Sequence, residues 1–211
     1  MIIVGTYDKI NHSKLLGVNI LSYDKELISK KLIKWKNYIN DYSLPDWDEL
    51  PTIDLYIDQV IALLTQYLDF LVAYSDDGKV LTTSAINNYV RMKIMPAPVK
   101  KKYSRVHMAY LIMICSLKQS LSIANIGKII PMGLEESDVK ELYNSYVKHM
   151  QRAAVDFAEL ADSFAGAIYS SDASDKRAVE NFTCEMAAIS TVSKILTEKV
   201  LALKQEEAPA E

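Results

Sequence analysis

Polar side chains suited to binding nucleic acid are concentrated in one short stretch of the chain. The sequence from Leu81 to Met92 predicts a helix with Thr82 or Thr83 at its N-cap and Ile86 on its buried side. Asparagine can form two hydrogen bonds with adenine, and arginine or serine can bind phosphate oxygens. We therefore expect this helix to contact DNA. Its candidate DNA-binding residues are Thr83, Ser84, Asn87, Asn88 and Arg91.

A cluster of cations follows this helix directly. Pro96 and Pro98 exclude a helical conformation from residues 94–99, so the chain must run extended before most of the cations. A loop of this composition can hold the phosphate backbone beside a groove. We expect it to fix the register of the protein on DNA. The candidate residues here are Lys93, Lys100, Lys101, Lys102, Tyr103 and Arg105.

The charges of the chain are distributed unevenly, although its formal net charge is only −3. The 57 residues from Gly78 to Leu134 contain nine of the 24 Lys and Arg residues and none of the 27 Asp and Glu residues. This asymmetry indicates a polyanionic partner for the central part of the chain. The alternative is that these lysines solvate a helix face and that the acidic flanks fold back against them.

Patterns typical of enzymes and of metal sites are missing from the sequence. It contains no Gly-rich phosphate loop, no HExxH, no GxSxG and no dinucleotide fingerprint. Cys115 and Cys184 lie far apart in apolar helical patterns, which predicts buried, reduced thiols, and the three histidines are scattered. The longest apolar runs are far shorter than the ~20 residues that span a bilayer. We expect a cytoplasmic protein without a membrane segment, a metal, a cofactor or an enzymatic activity.

Hydrophobic periodicity and helix caps predict an all-α fold. An amphipathic helix is expected from Tyr23 to Tyr42, followed by a proline-bounded loop over residues 43–51. A long helix is expected from an N-cap at Thr52 to Tyr74, where the turn 75–78 would end it. Two further helices are expected to begin after Ser104 and Ser122 and to end near residues 120 and 130.

Apolar residues recur at heptad spacing in two long C-terminal segments, Tyr143 to Ala167 and Phe182 to Leu203. Such a stripe is either one face of a helical bundle or a seam between subunits. The two helices could pair as an antiparallel hairpin across residues 170–174, and we expect them to form a homodimer. A small-molecule effector could also bind among the aromatic residues there, although a packed core explains them more simply. These aromatic residues are Tyr143, Tyr146, Phe157 and Phe164.

The stretch from Ile86 to Ile130 resembles the winged helix-turn-helix of MerR-type transcriptional regulators. In that family the recognition helix ends in a leucine-leucine-proline step, a wing follows, and a tyrosine-serine pair opens the next helix. The corresponding residues here are Ile94-Met95-Pro96 and Tyr103-Ser104. The signal for the helix after that one begins at Leu121-Ser122. The match departs from MerR at Asn87-Asn88-Tyr89, where the family has arginine and two tyrosines, and in the lysines that replace the glycine-tyrosine-arginine of the wing. The stretches Leu50 to Val60, Ile86 to Val90 and Lys101 to Ser104 are also similar to a bacterial domain-of-unknown-function family described as MerR-like, a resemblance that covers residues 44–165.

The resemblance implies a sequence-specific regulator that binds double-stranded DNA as a homodimer. It divides the chain into an N-terminal segment, residues 1–43, a helix-turn-helix DNA-binding module, residues 44–133, and a C-terminal helical dimerisation or regulatory region, residues 134–211. Two alternatives remain open. The protein could be a helical protein–protein interaction module with a degenerate helix-turn-helix, or a regulator that responds to a small molecule bound in its C-terminal helices.

Overall fold

The structure is a computed structural model that describes residues 24–72, 80–170 and 177–203. Over these ranges the protein is all-α, as the sequence predicts, and two isolated β-bridges are its only extended pairings. The predicted turn 75–78, the connection at 171–174 and residues 1–22 and 204–211 lie outside the described residues. None of the described helices has the length and the apolar composition that crossing a membrane requires. The helices are α1 (Lys25–Asp41), α2 (Ile57–Tyr67), α3 (Asp69–Val72), α4 (Thr83–Arg91), α5 (Arg105–Leu117), α6 (Ile123–Ile129), α7 (Glu136–Ser170) and α8 (Arg177–Leu203).

Helix α5 forms the centre of the core. Every residue from His107 to Cys115 is buried, because the helix is apolar on all of its faces and other helices surround it. Both α2 and α7 pack against it. Burial also raises the pKa of the Cys115 thiol to about 12, which keeps it in the protonated form. The prediction that both cysteines are buried is wrong for Cys184, which is exposed on α8.

The helix caps predicted from the sequence are confirmed where local side chains make them. The Thr82 hydroxyl accepts a hydrogen bond from the Ala85 N–H (3.2 Å), and the Ser122 hydroxyl accepts one from the Asn125 N–H (3.2 Å). Ser104 is the N-cap of α5, as predicted. Each cap satisfies a backbone donor that the first helical turn leaves unpaired.

The prediction of one long helix from Thr52 to Tyr74 is wrong at its start and in its middle. Leu55 lies in extended backbone because its N–H and C=O both pair with Tyr103, each at 2.8 Å. Tyr56 is therefore the N-cap of α2, where its N–H donates to the Gln59 side chain (2.9 Å). Leu68 then leaves helical geometry and separates α2 from α3.

The partner of the long helix α7 is α1, not the antiparallel α8 that the heptad pattern suggested. Helix α1 packs along α7, and the buried Ser29 hydroxyl donates to the Ala165 carbonyl across this contact (3.1 Å). Small residues on α7 allow this close approach, whereas Phe157, which the predicted stripe placed inside, is 42% exposed. The buried positions in this half of α7 are Ala158, Ala161, Ala165 and Ile168.

Helix α8 buries little of its apolar surface. Of its residues only Val179 and Leu201 are buried, and it packs mainly against α6 and α7, including the ring pair of Phe164 and Phe182 (5.0 Å between centroids). Five aliphatic side chains of its C-terminal half are 47–65% exposed. They are Val192, Ile195, Leu196, Val200 and Leu203. This stripe has no partner within the described part of the chain.

Candidate nucleic-acid interface

Helix α4 presents one polar face and one buried face. Ile86 and Tyr89 are buried in the core, which fixes the rotation of the helix. The opposite side forms a shallow open depression lined by polar side chains. It brings together the predicted residues Ser84, Asn87, Asn88 and Arg91, with Thr82 and Ala85 at its edge. Thr83 is exposed beside them.

Two of these side chains are bonded to each other. The Arg91 guanidinium donates to the Asn88 side-chain oxygen (2.7 Å), and the Asn88 amide group approaches the Met92 sulfur (3.4 Å). Asn88 is half-buried as a result, whereas Asn87 is exposed and makes no side-chain hydrogen bond within the described residues. Asn87 is therefore the residue best prepared to bond an external partner.

Lys93 ends α4 in a left-handed conformation, with φ of 55°. The Ile94 N–H bonds the Tyr89 carbonyl (3.1 Å) and the Lys93 N–H bonds the Val90 carbonyl (3.0 Å). These two bonds form a Schellman motif, in which the left-handed position is usually glycine. A lysine there leaves the exposed ammonium group at the end of the helix.

The cationic loop is a tight hairpin, which we call the wing, residues 94–103. Val99 and Lys102 pair through two backbone hydrogen bonds (3.1 and 2.9 Å). The two residues between them, Lys100 and Lys101, have φ of 50° and 63°. A two-residue hairpin loop with positive φ at both positions has the geometry of a type I′ turn, for which Asn-Gly is the usual sequence. Both lysine side chains are exposed at the tip.

The base of the wing is held by the core. Ile94 and Met95 are buried, and the Leu55–Tyr103 pair joins the returning strand of the wing to the segment before α2. Tyr103 is only 3% exposed, so its ring is a core residue and offers no surface to a partner. Lys102 lies over the exposed Tyr56 ring, with 5.5 Å from the ammonium nitrogen to the ring centroid.

His107 ties the wing to α5. Its Nδ1 accepts a hydrogen bond from the Ser104 N–H (3.0 Å), so the proton of the neutral ring is on Nε2, which faces the Ala97 carbonyl (3.2 Å). Burial lowers the pKa of His107 below the ordinary 6.5, although the Ala97 carbonyl and the charge of Asp54 act in the opposite direction. A protonated ring would place its Nδ1 proton against the Ser104 N–H, and only the Ser104 hydroxyl, 2.9 Å from Nδ1, could accept it.

The candidate cations differ in whether they are already engaged. Arg105 stacks over the Trp47 indole (5.6 Å to the centroid), lies 3.9 Å from an Asp48 carboxylate oxygen and keeps only 18% of its side chain exposed. Arg105 is thus engaged by the fold, unlike the exposed cations. Asp48 also pairs with Lys140 at 3.0 Å. Within the described ranges no ion pair involves Arg91, Lys93 or the three lysines 100–102, and the acidic residues 135, 136 and 138 do not neutralise them.

Tyr56 is a residue of this surface that the sequence analysis missed. It was predicted as an apolar position inside a helix, but it is 57% exposed at the N-cap of α2 and its ring supports Lys102. Ile53 and Val99 are exposed as well, at 69% and 68%. The sequence around Tyr56 does not indicate that its ring contacts Lys102, because Lys102 is distant in the chain.

The comparison with known families assigns the segment that contains these elements. Residues 45–146 match the model of a domain of unknown function, DUF1836. No curated protein and no solved structure matches the chain.

The segment that matches DUF1836 comprises helices α2 to α6, the wing and the first third of α7. It therefore contains the whole polar face of α4 and all of the cations 91–105. Helices α1 and α8 and the rest of α7 lie outside it. Among the described residues, no three His, Cys, Asp or Glu side chains group closely enough to hold a metal ion.

We predict that His107 makes the stability of the protein depend on pH. Below about pH 6.5 the unfolded chain binds a proton at this residue while the folded protein does not, so the free energy of unfolding decreases as the pH falls. The slope from this one group reaches at most about 1.4 kcal/mol per pH unit. Urea unfolding between pH 7.5 and 5 measures it.

The matched variants are His107→Gln and His149→Gln, since His149 is exposed on α7. His107→Gln should flatten the pH dependence in this range, and His149→Gln should leave it as in the parent protein. Equal slopes for all three proteins would contradict the role of His107.

Proposed function

We propose that the protein is a sequence-specific transcriptional regulator that binds double-stranded DNA through a MerR-like winged helix-turn-helix. Helices α2 and α4 would be the two helices of the motif, and residues 94–103 its wing. The observation that carries the proposal is the backbone conformation of three exposed lysines. Every non-glycine residue with positive φ in the described ranges is one of them, namely Lys93, Lys100 and Lys101.

Left-handed backbone is unfavourable for a lysine. An L-residue in this region costs about 1–2 kcal/mol, whereas glycine adopts it freely and asparagine more readily than most residues. The chain thus has lysine at three positions where another residue would make it more stable. Such strain is typical of functional positions. Phosphate binding explains it, because a cation neutralises the phosphate charge, which glycine or asparagine cannot do, and all three side chains are exposed and unpaired by acids.

The geometry suggests a separate role for each part of the surface. Asn87, the exposed asparagine on α4, would read a base edge in the major groove, and Asn88 with Arg91 would act as one bonded unit beside it. Lys93 and the wing lysines would bind phosphates on either side and fix the register. Tyr103 and Arg105 would position the wing from within the protein. Binding of this kind needs no cofactor and no chemical step.

An acidic protein partner is the second candidate, because an unneutralised basic surface also suits an acidic partner. The exposed apolar residues Ile53 and Val99 near the wing favour it to some extent, since protein interfaces use such residues. A DNA-binding regulator should show salt-dependent affinity for DNA and a preference for particular bases. A protein that binds an acidic partner should show neither.

The stripe on α8 is the part of the molecule that best fits a homodimer. Contiguous patches of exposed aliphatic side chains mark interaction sites. A twofold contact of α8 with its copy would cover both stripes at once. Lys199 lies within the stripe, where a single polar residue sets the register of a helical seam. A dimer would place two α4 helices on one duplex, as palindromic operators require.

We predict that the double variant Lys100→Asn/Lys101→Gly keeps the wing but weakens DNA binding. Asn-Gly is the preferred type I′ turn, so the variant should be as stable as the parent or more stable by up to about 2 kcal/mol. Loss of two phosphate contacts should reduce the slope of log K against log salt by about 2 and should affect all sequences similarly. Urea unfolding and fluorescence anisotropy at several salt concentrations measure the two effects.

The matched control for this variant is Lys31→Gln/Lys34→Gln. It removes the same charge from the exposed face of α1, far from the wing in the chain, and should leave the slope unchanged. If the wing variant has the parent's slope, the lysines do not bind phosphate, and an acidic protein partner becomes the better explanation.

We predict that Asn87→Ala changes base preference rather than general affinity. An asparagine that bonds adenine contributes about 1–3 kcal/mol of discrimination, so the variant should lose preference at one position of a selected site. Selection from a random oligonucleotide library with the parent and the variant measures this. A uniform loss over all sequences would instead assign Asn87 to the DNA backbone.

We predict that Leu196→Glu converts the dimer into a monomer. A carboxylate within the apolar stripe would have to be desolvated in the seam, while the exposed position tolerates it in a free subunit. Light scattering measures the mass, and Ala187→Glu, on an exposed and more polar side of α8, is the control that should remain dimeric. A parent protein that is monomeric at all concentrations, or a Leu196→Glu variant that stays dimeric, would exclude this seam.

A further inference from the structure

An apolar cavity that is partly open to solvent lies between α1, α3 and α7, apart from the candidate DNA surface. It has a volume of about 230 Å³, and none of its lining residues is charged. Four aromatic side chains contribute to its walls. They are Trp35 from α1, Tyr42 after it, Phe70 from α3 and Phe157 from α7.

The cavity is kept open by small residues. Ser43, Ala153 and Ala154 line it, and a leucine at one of these positions would occupy part of the space. Larger apolar side chains at these positions would bury more apolar surface, so they would be favoured there if stability alone decided. An enclosed apolar cavity of roughly 150 Å³ is large enough to bind benzene. The pocket therefore has room for a small ring, although part of its wall faces solvent.

From this geometry we infer that the cavity binds a small uncharged molecule with one or two rings. The absence of charged lining residues excludes an ionic ligand, because nothing would compensate its desolvation. The aromatic walls suit a ring, which they contact edge-on or in offset stacking. Gln151 and Ser43 are the polar lining residues besides the Tyr42 hydroxyl, so at most one or two polar groups of the ligand are recognised.

Tyr42 connects this cavity to α2. Its ring packs edge-on against Phe70, with 4.7 Å between centroids, and its hydroxyl donates to the carbonyl of Tyr67, the last residue of α2 (2.6 Å). A ligand in contact with the Tyr42 ring restricts that ring and, through the hydroxyl, the end of α2. The inference of a ligand site stands independently of DNA binding.

The first experiment titrates the full chain with toluene. Binding should raise Tm by roughly 3–6 °C at about ten times the Kd, with saturation. The fluorescence of Trp35 should shift to the blue as the ligand displaces water from its exposed ring, and Trp35→Phe should abolish this signal because Trp47 is already buried. A Tm that does not rise, or that rises without saturation, would overturn the site.

Two matched variants locate the binding. Ala154→Leu fills the cavity and should weaken toluene binding at least tenfold, while Ala167→Leu introduces the same side chain at an exposed position of α7 and should leave it unchanged. Equal binding by both variants would place toluene elsewhere. If Ala154→Leu does not fold, two ligands of different size test the same site in the parent protein. The small indole should raise Tm, and the larger 1-hydroxypyrene should not. A rise in Tm with 1-hydroxypyrene but not with indole would exclude a cavity of this volume.

The connection through Tyr42 is measured by hydrogen exchange. Toluene should slow amide exchange at residues 67 and 68, at the end of α2, in the parent protein. Tyr42→Phe removes the hydroxyl but keeps the ring, so it should bind toluene with similar affinity and lose most of this protection. Unchanged protection in the variant would show that Tyr42 does not transmit ligand binding to α2.

Discussion

The backbone pairing of Leu55 with Tyr103 is the interaction on which the arrangement of the candidate surface depends. Two hydrogen bonds of 2.8 Å join residues that are 48 positions apart in the chain. Leu55 immediately precedes Tyr56, the N-cap of α2, and Tyr103 is the last residue of the wing, directly before Ser104, the N-cap of α5. This one pair therefore sets the start of α2, the direction of the wing and the start of the buried central helix. The pair fixes the segment before α2 and the end of the wing relative to each other without a β-sheet.

The wing shows how a rigid base can support a strained tip. His107 and the Leu55–Tyr103 pair hold its two ends, and buried Ile94 and Met95 anchor it to the core. Two lysines can then occupy a type I′ turn that their side chains do not favour, because the bonds at the base determine the backbone. The same holds at the end of α4, where the buried Ile94 and Tyr89 stabilise the Schellman motif around Lys93. Core packing thereby positions cations at the surface.

The sequence predicts features that depend on neighbouring residues and misses those that depend on distant ones. Thr82, Ser104 and Ser122 were identified as N-caps because a cap bonds to a residue three positions away. The local pattern wrongly predicts a cap at Thr52, because the residue that pairs with Leu55 is distant in the chain. Arg105 was grouped with the lysines by its charge, although its contact with Trp47 bridges 58 positions and holds its guanidinium inside the protein. The turn at Lys100 was not predictable, because lysine gives no turn signal.

The heptad pattern of α7 illustrates a second limit. Phe157 and Ala158 are neighbours on one helix, and hydrophobicity favours burial of the larger side chain. The structure buries the alanine and exposes the phenylalanine, because close packing of α1 against α7 needs small residues at the contact. Periodicity identifies a helix with an apolar stripe, but steric fit with its partner decides which of two adjacent stripes faces inward. The displaced Phe157 becomes a wall of the cavity.

The surroundings of the nine cations between Gly78 and Leu134 determine which of them are free to bind an anion. Lys118 donates to the Val80 carbonyl and Arg105 stacks on Trp47, so both are used by the fold. The exposed lysines at positions 93, 100 and 101 keep their charge unpaired, while the acids are concentrated elsewhere in the chain. An anion that approaches such a molecule is attracted at the wing and repelled by the acidic helices, over distances of about a Debye length, ~8–10 Å. A net charge of −3 is then compatible with binding DNA, because local charge at the contact surface governs the encounter and not the sum over the chain.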